Sequence, residues 1–272
     1  MSKASSQKGE SVAKSASILV ITTLISSVLG YVRNIVITTK FGAGMESDAY
    51  YAAFTIPDLI YTTLVGGGLS SAFIPVFSGY LAKKEEKYGM KMANTIVTLV
   101  AILAAILCAL GVIFAPYLVR LLVQFEGESY NLTVKLTRIM FAQSFFMCLT
   151  GISQGILQSY KRFSSPAIGA VFYNITIIVG GIFLSSVFHL GVAGFSIAVV
   201  IGAIINFGIQ IPNLFNTGFK FSPTLDFKND GVRQFFRLLG PVLIGTSVME
   251  IPIQHKKKTL TTPLQQPLPY PR

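Results

Sequence analysis

The chain has 272 residues, of which 52% are hydrophobic and only 12% charged, with a formal net charge of +11 and a mean hydropathy of +0.63. A soluble domain of this size carries about a quarter charged residues and mixes its apolar ones into short periodic runs. Here the apolar residues come in blocks, which excludes most soluble folds.

In chain order, Ser15–Val32 is free of charge for 18 residues, Leu59–Ala82 for 24, Met92–Val119 for 28, Ile139–Tyr160 for 22 and Phe163–Phe219 for 57. A helix needs about 20 apolar residues to cross the hydrocarbon core, so the last block holds two helices, folded back at the Ser185–Gly191 turn around His189. That predicts an all-α, polytopic membrane helix bundle with six transmembrane helices. An incomplete seventh starts near Gly231, because its uncharged run, Leu238–Met249, covers 12 residues and stops at Glu250, Pro252 and a basic stretch. The first block follows a basic segment but is too long for a signal peptide, lacks an A-x-A-like cleavage site and is followed by more spans.

Lys and Arg concentrate in short cytoplasmic loops. With the N-terminus inside, the inner segments carry Lys3, Lys8 and Lys14, then Lys83, Lys84, Lys87 and Lys91, then Lys161 and Arg162, and last Lys220, Lys228, Arg233 and Arg237. The outer segments carry only Lys40, Arg120, Lys135 and Arg138. The N-terminus is therefore read as cytoplasmic, and the net positive charge as topological. Charges dispersed over loops form no stripe for nucleic acid, so no nucleic-acid partner is expected. Cys108 and Cys148 fall inside spans as small packing residues, with no disulfide framework. His189 and His255 have no Cys, Asp or Glu at ligand spacing, which argues against a zinc site. The chain has no P-loop, no G-x-S-x-G and no dinucleotide fingerprint, and no cofactor is expected.

Arg33 lies inside the first span, where a charge is expensive and normally faces a cavity or a partner. It sits about 10 Å below Lys40, at 1.5 Å per residue. The second span descends from Asp48, and Asp58 is about 15 Å further down by the same rise, so the two carboxylates bracket the depth of Arg33. Three readings of Arg33 are open: a structural ion pair, a cation presented to an anionic substrate and held by a carboxylate, or a side chain that snorkels to the outer interface. The second span is also interrupted by Ile56-Pro57, by Gly66-Gly67-Gly68 and by Ile74-Pro75. Proline removes a helical hydrogen bond and glycine loosens the backbone, so this helix is expected to bend and to face protein or water. Gln154 with Gln158 and Asn206 with Gln210 pair at i to i+4, and are read as interhelical glue ahead of cavity lining.

Leu29-Gly30-Tyr31-Val32-Arg33, Phe41-Gly42-Ala43-Gly44, Asp48-Ala49-Tyr50-Tyr51, Ile56-Pro57-Asp58 and Ser70-Ser71-Ala72-Phe73-Ile74-Pro75 together resemble the opening of the MurJ/MviN family of bacterial lipid II flippases. This family is part of the multidrug/oligosaccharidyl-lipid/polysaccharide exporter superfamily. The resemblance continues through Arg162-Phe163, Tyr173-Asn174, Gln210-Ile211-Pro212 and Gly240-Pro241 to about Ile251. It implies a two-lobed transporter of the bacterial cell membrane that moves an undecaprenyl-diphosphate-linked peptidoglycan precursor to the outer leaflet by alternating access. It also implies that the protein is not an enzyme. Arg33 matches a cavity arginine of the family and Asp48 its acidic partner, while Asp58 as a further candidate for the substrate site and Gly66, Gly67 and Gly68 as a flexible joint are read from the second span itself. Ser27 and Tyr61 stand where the family often has further arginines, which thins the cationic site.

On this basis the chain divides into a cytoplasmic segment (1–14), a six-helix N-terminal transporter lobe (15–219), a loop with the partial seventh helix (220–253) and a Pro/Lys-rich tail (254–272). Four of the chain's 12 prolines fall in its last ten residues, so the tail is expected to be disordered. The expectation is of a truncated form that needs a missing C-terminal lobe or a second copy for transport. Alternative functions are a flippase for another lipid-linked glycan, a drug/ion antiporter of the superfamily, or a non-transporting membrane scaffold for wall synthesis.

Overall fold

In the computed structural model, residues 2–66 and 69–241 are described, with side chains for 20–66 and 71–241. Gly67, Gly68, the seventh helix beyond residue 241 and the tail at 254–272 lie outside the described residues. The order is α1 (Ser2–Phe41), α2 (Met45–Tyr61), two wider π-helical segments (Thr62–Gly66 and Leu69–Phe73), α3 (Ile74–Ala82), α4 (Glu86–Leu122), α5 (Gly127–Ser159), α6 (Ser164–Val187) and α7 (Val192–Phe215). A further helix, α8, covers 230–241, and no strand occurs among the described residues.

Six stretches are long and apolar enough to span: Val20–Phe41, Met45–Ala82, Glu86–Leu122, Gly127–Ser159, Ser164–Val187 and Val192–Phe215. The expected polytopic bundle is therefore present, with the fold-back between α6 and α7 at Phe188–Gly191. At 24 residues each, α6 and α7 are about 36 Å long and match a hydrocarbon core of about 30 Å. The 37 residues of α4 and 33 of α5 overshoot it, so their ends stand in the interface.

Lipid tails are as apolar as leucine, so helices in a bilayer associate by close packing rather than by the hydrophobic effect. Glycines provide that approach between α6 and α7. A Cβ on Gly202 would stand 3.1 Å from the Tyr173 ring and its carbonyl oxygen, and one on Gly194 would stand 2.8 Å from the Ser185 nitrogen. Gly181 receives the Phe195 ring, and Gly169 receives the Asn206 carboxamide. On α5, Gly151 makes the same kind of seat for Val65.

Helix α1 packs mainly on α6 and leaves Val20, Ile21, Leu24, Val28, Tyr31 and Ile35 exposed. Its tether is polar: the Asn174 amide donates to the Ser26 carbonyl at 3.2 Å and to Ser26 Oγ at 3.1 Å. Side-chain hydrogen bonds of this kind are worth about 0.6 kcal/mol on average in a membrane bundle, and up to about 1.7.

The second span breaks in fewer places than its sequence suggests. Pro57 stays inside α2, buried against α5, and its carbonyl accepts a hydrogen bond from Ser144 Oγ at 2.7 Å. Proline deletes only one donor, and tertiary contact holds the helix through it. Pro75 falls in the first turn of α3, where no N–H is needed. Among the described residues of this span, the departure from α-helix is confined to Thr62–Gly66 and Leu69–Phe73.

At the Lys83 end, residues 220–226 form an extended strap along α4. Asn94 Nδ2 donates to the Lys220 carbonyl at 3.1 Å, and the Ser222 N–H donates back to Asn94 Oδ1 at 2.9 Å. The Thr224 and Asp226 N–H groups donate to Thr98 Oγ1 and Thr95 Oγ1, each at 3.3 Å. A loop against a helix must satisfy its backbone groups, and these buried side chains substitute for strand partners. Asn229 Oδ1 then accepts from the Gly231 N–H at 2.8 Å and opens α8.

Candidate functional site

Arg33 is partly buried on α1, more than two turns from the helix end. Its Nε and Nη2 each donate to Asn34 Oδ1 at 3.2 Å. A fork bound to a neutral carboxamide on its own helix retains three of its five donors for other groups.

Two tyrosines missed in the sequence feel this charge. The Arg33 guanidinium lies within electrostatic range of the Tyr50 and Tyr173 hydroxyls. Tyr50 is 1% exposed, and its hydroxyl is buried without a hydrogen-bond partner. Such an orphan donor is uncommon in a folded protein and marks a place where polar chemistry was retained despite its cost. Tyr173 projects from α6, and the Asp58 carboxylate also acts on it. The charges of Arg33 on α1 and Asp58 on α2 therefore both reach one α6 tyrosine. The available signal was Tyr50 within Asp48-Ala49-Tyr50-Tyr51 and Tyr173 beside Asn174, in stretches otherwise apolar.

Asp48 and Asp58 are both exposed on α2. Asp48 falls in the first turn, where the positive end of the helix dipole favours a carboxylate. It lies about 15 Å along the axis from Asp58, so the two act at different depths. Gly66 closes the first π-helical segment and is exposed.

Behind that segment lies a small cavity of about 90 Å³ between Tyr61, Val65, Gly66 and Ile74 on one side and Gly151, Gln154, Gly155 and Gln158 on the other. The first glutamine pair thus lines a polar cavity beside the broken helix, where glue between helices was the preferred reading. Asn206 and Gln210 are buried, and Gln210 Nε2 donates to Asn206 Oδ1 at 3.5 Å within α7. Among the described residues no three His, Cys, Asp or Glu side chains gather as a metal site. Cys108 and Cys148 are buried free thiols.

The sequence profile of the family described as lipid II flippase MurJ matches residues 37–255. The chain belongs to the MurJ family. The probable lipid II flippase MurJ of Treponema pallidum (strain Nichols) is 33% identical over 245 residues, covering 86% of this chain and 46% of its own length. The probable lipid II flippase MurJ of Buchnera aphidicola subsp. Acyrthosiphon pisum (strain APS) is 32% identical over 234 residues, covering 84% and 45%. A solved structure of lipid II flippase MurJ in an inward closed conformation superposes with a TM-score of 0.67 at 26% identity, over 81% of this chain and 46% of that one. The Vibrio cholerae MATE transporter VcmN in its bent form superposes at 0.75 with 15% identity, over 93% and 58%, which shows the shared fold alone. The chain spans about half the length of the MurJ relatives it matches. Asp48, Asp58 and Gly66 fall within the stretch matched to MurJ, and Arg33 stands just before it. MurJ membership and six membrane-capable helices make this a multi-pass inner-membrane protein.

Proposed function

We propose that this chain supplies a six-helix lobe of a lipid II flippase, which carries the undecaprenyl-diphosphate-linked peptidoglycan precursor from the cytoplasmic to the outer leaflet by alternating access. The observation that carries this reading is the superposition on a lipid II flippase over about half of that protein's length. Alternating access takes two bodies rocking about a central site. This stretch then acts as one of them, and transport takes a second lobe or a second copy.

A diphosphate brings negative charge into a medium that solvates it poorly, and a fixed cation lowers that barrier. An arginine is always charged and presents a planar fork that matches phosphate oxygens. In this reading Arg33 receives the diphosphate, Asp48 and Asp58 orient and balance the guanidinium, and the loosened stretch around Gly66, Gly67 and Gly68 is where α2 bends. Transport makes and breaks no covalent bond, so the chain is read as a transporter and not an enzyme. The partly buried Arg33 supports a polyprenyl diphosphate over an apolar drug, which would need no cation.

The test is lipid II translocation in proteoliposomes by the intact protein carrying Arg33→Ala or Arg33→Lys. The expected result is a loss of about tenfold or more for Arg33→Ala, the scale of one lost charge-assisted contact of about 1.5–3 kcal/mol, with partial activity for Arg33→Lys. Wild-type translocation by Arg33→Ala, at equal protein level, removes the cation from the mechanism. Complementation of wall growth by a form that fails to move lipid II would favour a scaffold.

A further inference from the structure

Away from the α1–α2 face, the seam between α4 and α5 holds a cavity of about 500 Å³ lined by Pro116, Tyr130, Val134, Lys135, Arg138 and Ile139 among others. Its construction starts with Pro116, which has no N–H to give to the carbonyl four residues earlier, that of Val112. Arg138 Nε supplies the missing donor from α5, at 3.2 Å from the Val112 oxygen. The Tyr130 hydroxyl donates to the Pro116 carbonyl at 2.9 Å. The Arg120 guanidinium in turn stands 5.5 Å over the centre of the Tyr130 ring. Pro116 thus anchors Arg138 at the level of Val112, where Lys135 lines the same cavity, and Arg120 stands eight residues, about 12 Å, further along α4.

The depth of this cluster is set by the sequence. The uncharged run of α5 begins at Ile139, immediately after Arg138, and that of α4 ends at Val119, immediately before Arg120. Lys135 and Arg138 therefore stand at the edge of the hydrocarbon and Arg120 nearer water, along a stretch where Tyr117 is 73% and Phe114 49% exposed, as in an interfacial aromatic belt. Glu126 and Glu128 oppose them in charge, but they occupy the cap and first turn of α5, about 10 Å from Lys135 toward water. Arg138 spends one of five donors on Val112, so its fork can still take a phosphate. Val134 and Ile139 offer apolar wall on the same cavity. A small soluble anion has no use for that wall, whereas a lipid has both a phosphate and chains.

We propose that this seam binds the headgroup of an anionic phospholipid, with the phosphodiester of a phosphatidylglycerol-type lipid held by Arg138 and Lys135 and further attracted by the charge of Arg120 on the water side, in the leaflet at the Lys40 end of the bundle. Basic pockets between helices at the interface are sites of this class. The site is separate from the diphosphate reading of Arg33 and stands if that reading fails.

The test is native mass spectrometry of the intact, delipidated protein titrated with phosphatidylglycerol, phosphatidylcholine or inorganic phosphate. The expected result is tighter retention of phosphatidylglycerol than phosphatidylcholine by about tenfold, lost in an R120Q/K135Q double variant. K40Q, at the same end but bonded to Ser186, should leave retention unchanged. R138Q should lose retention as well. Because it also uncovers the Val112 carbonyl, the R120Q/K135Q pair, which leaves that bond in place, decides the matter. Equal retention of the two lipids overturns the proposal. So does unchanged retention in R120Q/K135Q, an equal loss in K40Q, or displacement of the lipid by millimolar inorganic phosphate.

Discussion

Replacing Gly151 by alanine should unseat the broken part of the second span. A Cβ on Gly151 would overlap Val65 Cγ1 outright, and would lie 3.3 Å from Val65 Cβ and 3.6 Å from Tyr61 Cε2. Both neighbours belong to the stretch where α2 passes into its π-helical segment. Overpacking of this kind costs about 1–3 kcal/mol, which changes the ratio of seated to unseated forms by about 5–150-fold. Val65→Ala removes the overlapping atom. Alone it should cost about 1.6 kcal/mol, from two buried carbons at about 0.8 kcal/mol each. Combined with Gly151→Ala, the new methyl occupies the vacated space, so the double variant should be more stable than the sum of the single losses by about 1–3 kcal/mol. The assay is a double-mutant cycle on unfolding of the purified protein in one detergent, with lipid II translocation by the intact forms measured in parallel. Strictly additive losses would refute the seat, because residues that share no contact do not couple.

Three other outcomes follow from the same contacts. Asn174→Leu removes the polar tether between α1 and α6 and should lower stability by about 1–2 kcal/mol. A cysteine pair placed on those helices should then cross-link more slowly. Asn94→Ala leaves the Lys220 carbonyl and the Ser222 N–H without their partner. Each lost bond is worth about 1 kcal/mol, and limited proteolysis should cut the 220–226 strap several-fold faster, whereas an unchanged rate would mean that the strap is held elsewhere. Gly181→Ala places a methyl into the Phe195 ring and should destabilise the fold by the scale of overpacking, about 1–3 kcal/mol, seen as a lowered thermal midpoint. Gly208→Ala, on the same helix pair but with open space at its Cβ, should not.

What the sequence alone determined is whatever the bilayer imposes along one dimension. A hydrocarbon core about 30 Å thick forbids unpaired charge, so six spans and the fold-back before Gly191 could be counted from the gaps between charged residues. A departure from α-helix within the second span was legible for a similar reason, since glycine weakens a helix in any context. Arg33 stood out as a candidate because a lone charge in a span is conspicuous without any coordinates.

Contacts between helices were not legible, because they depend on crossing angle, rotation and close approach, which no single helix specifies. Pro57 read as a break and instead stays inside α2, packed where Ser144 of α5 donates to its carbonyl. Gln154 and Gln158 read as glue and instead wall a cavity, because the π-helical turns opposite them leave room. Tyr50 and Tyr173 looked like ordinary aromatics until α1, α2 and α6 brought them to Arg33. Pro116 gained meaning only through α5, which delivers Arg138 to the Val112 carbonyl that proline leaves open. Spans are dictated by the solvent and can be read locally, whereas sites arise where separate spans meet, and tertiary packing alone decides which side chains those are.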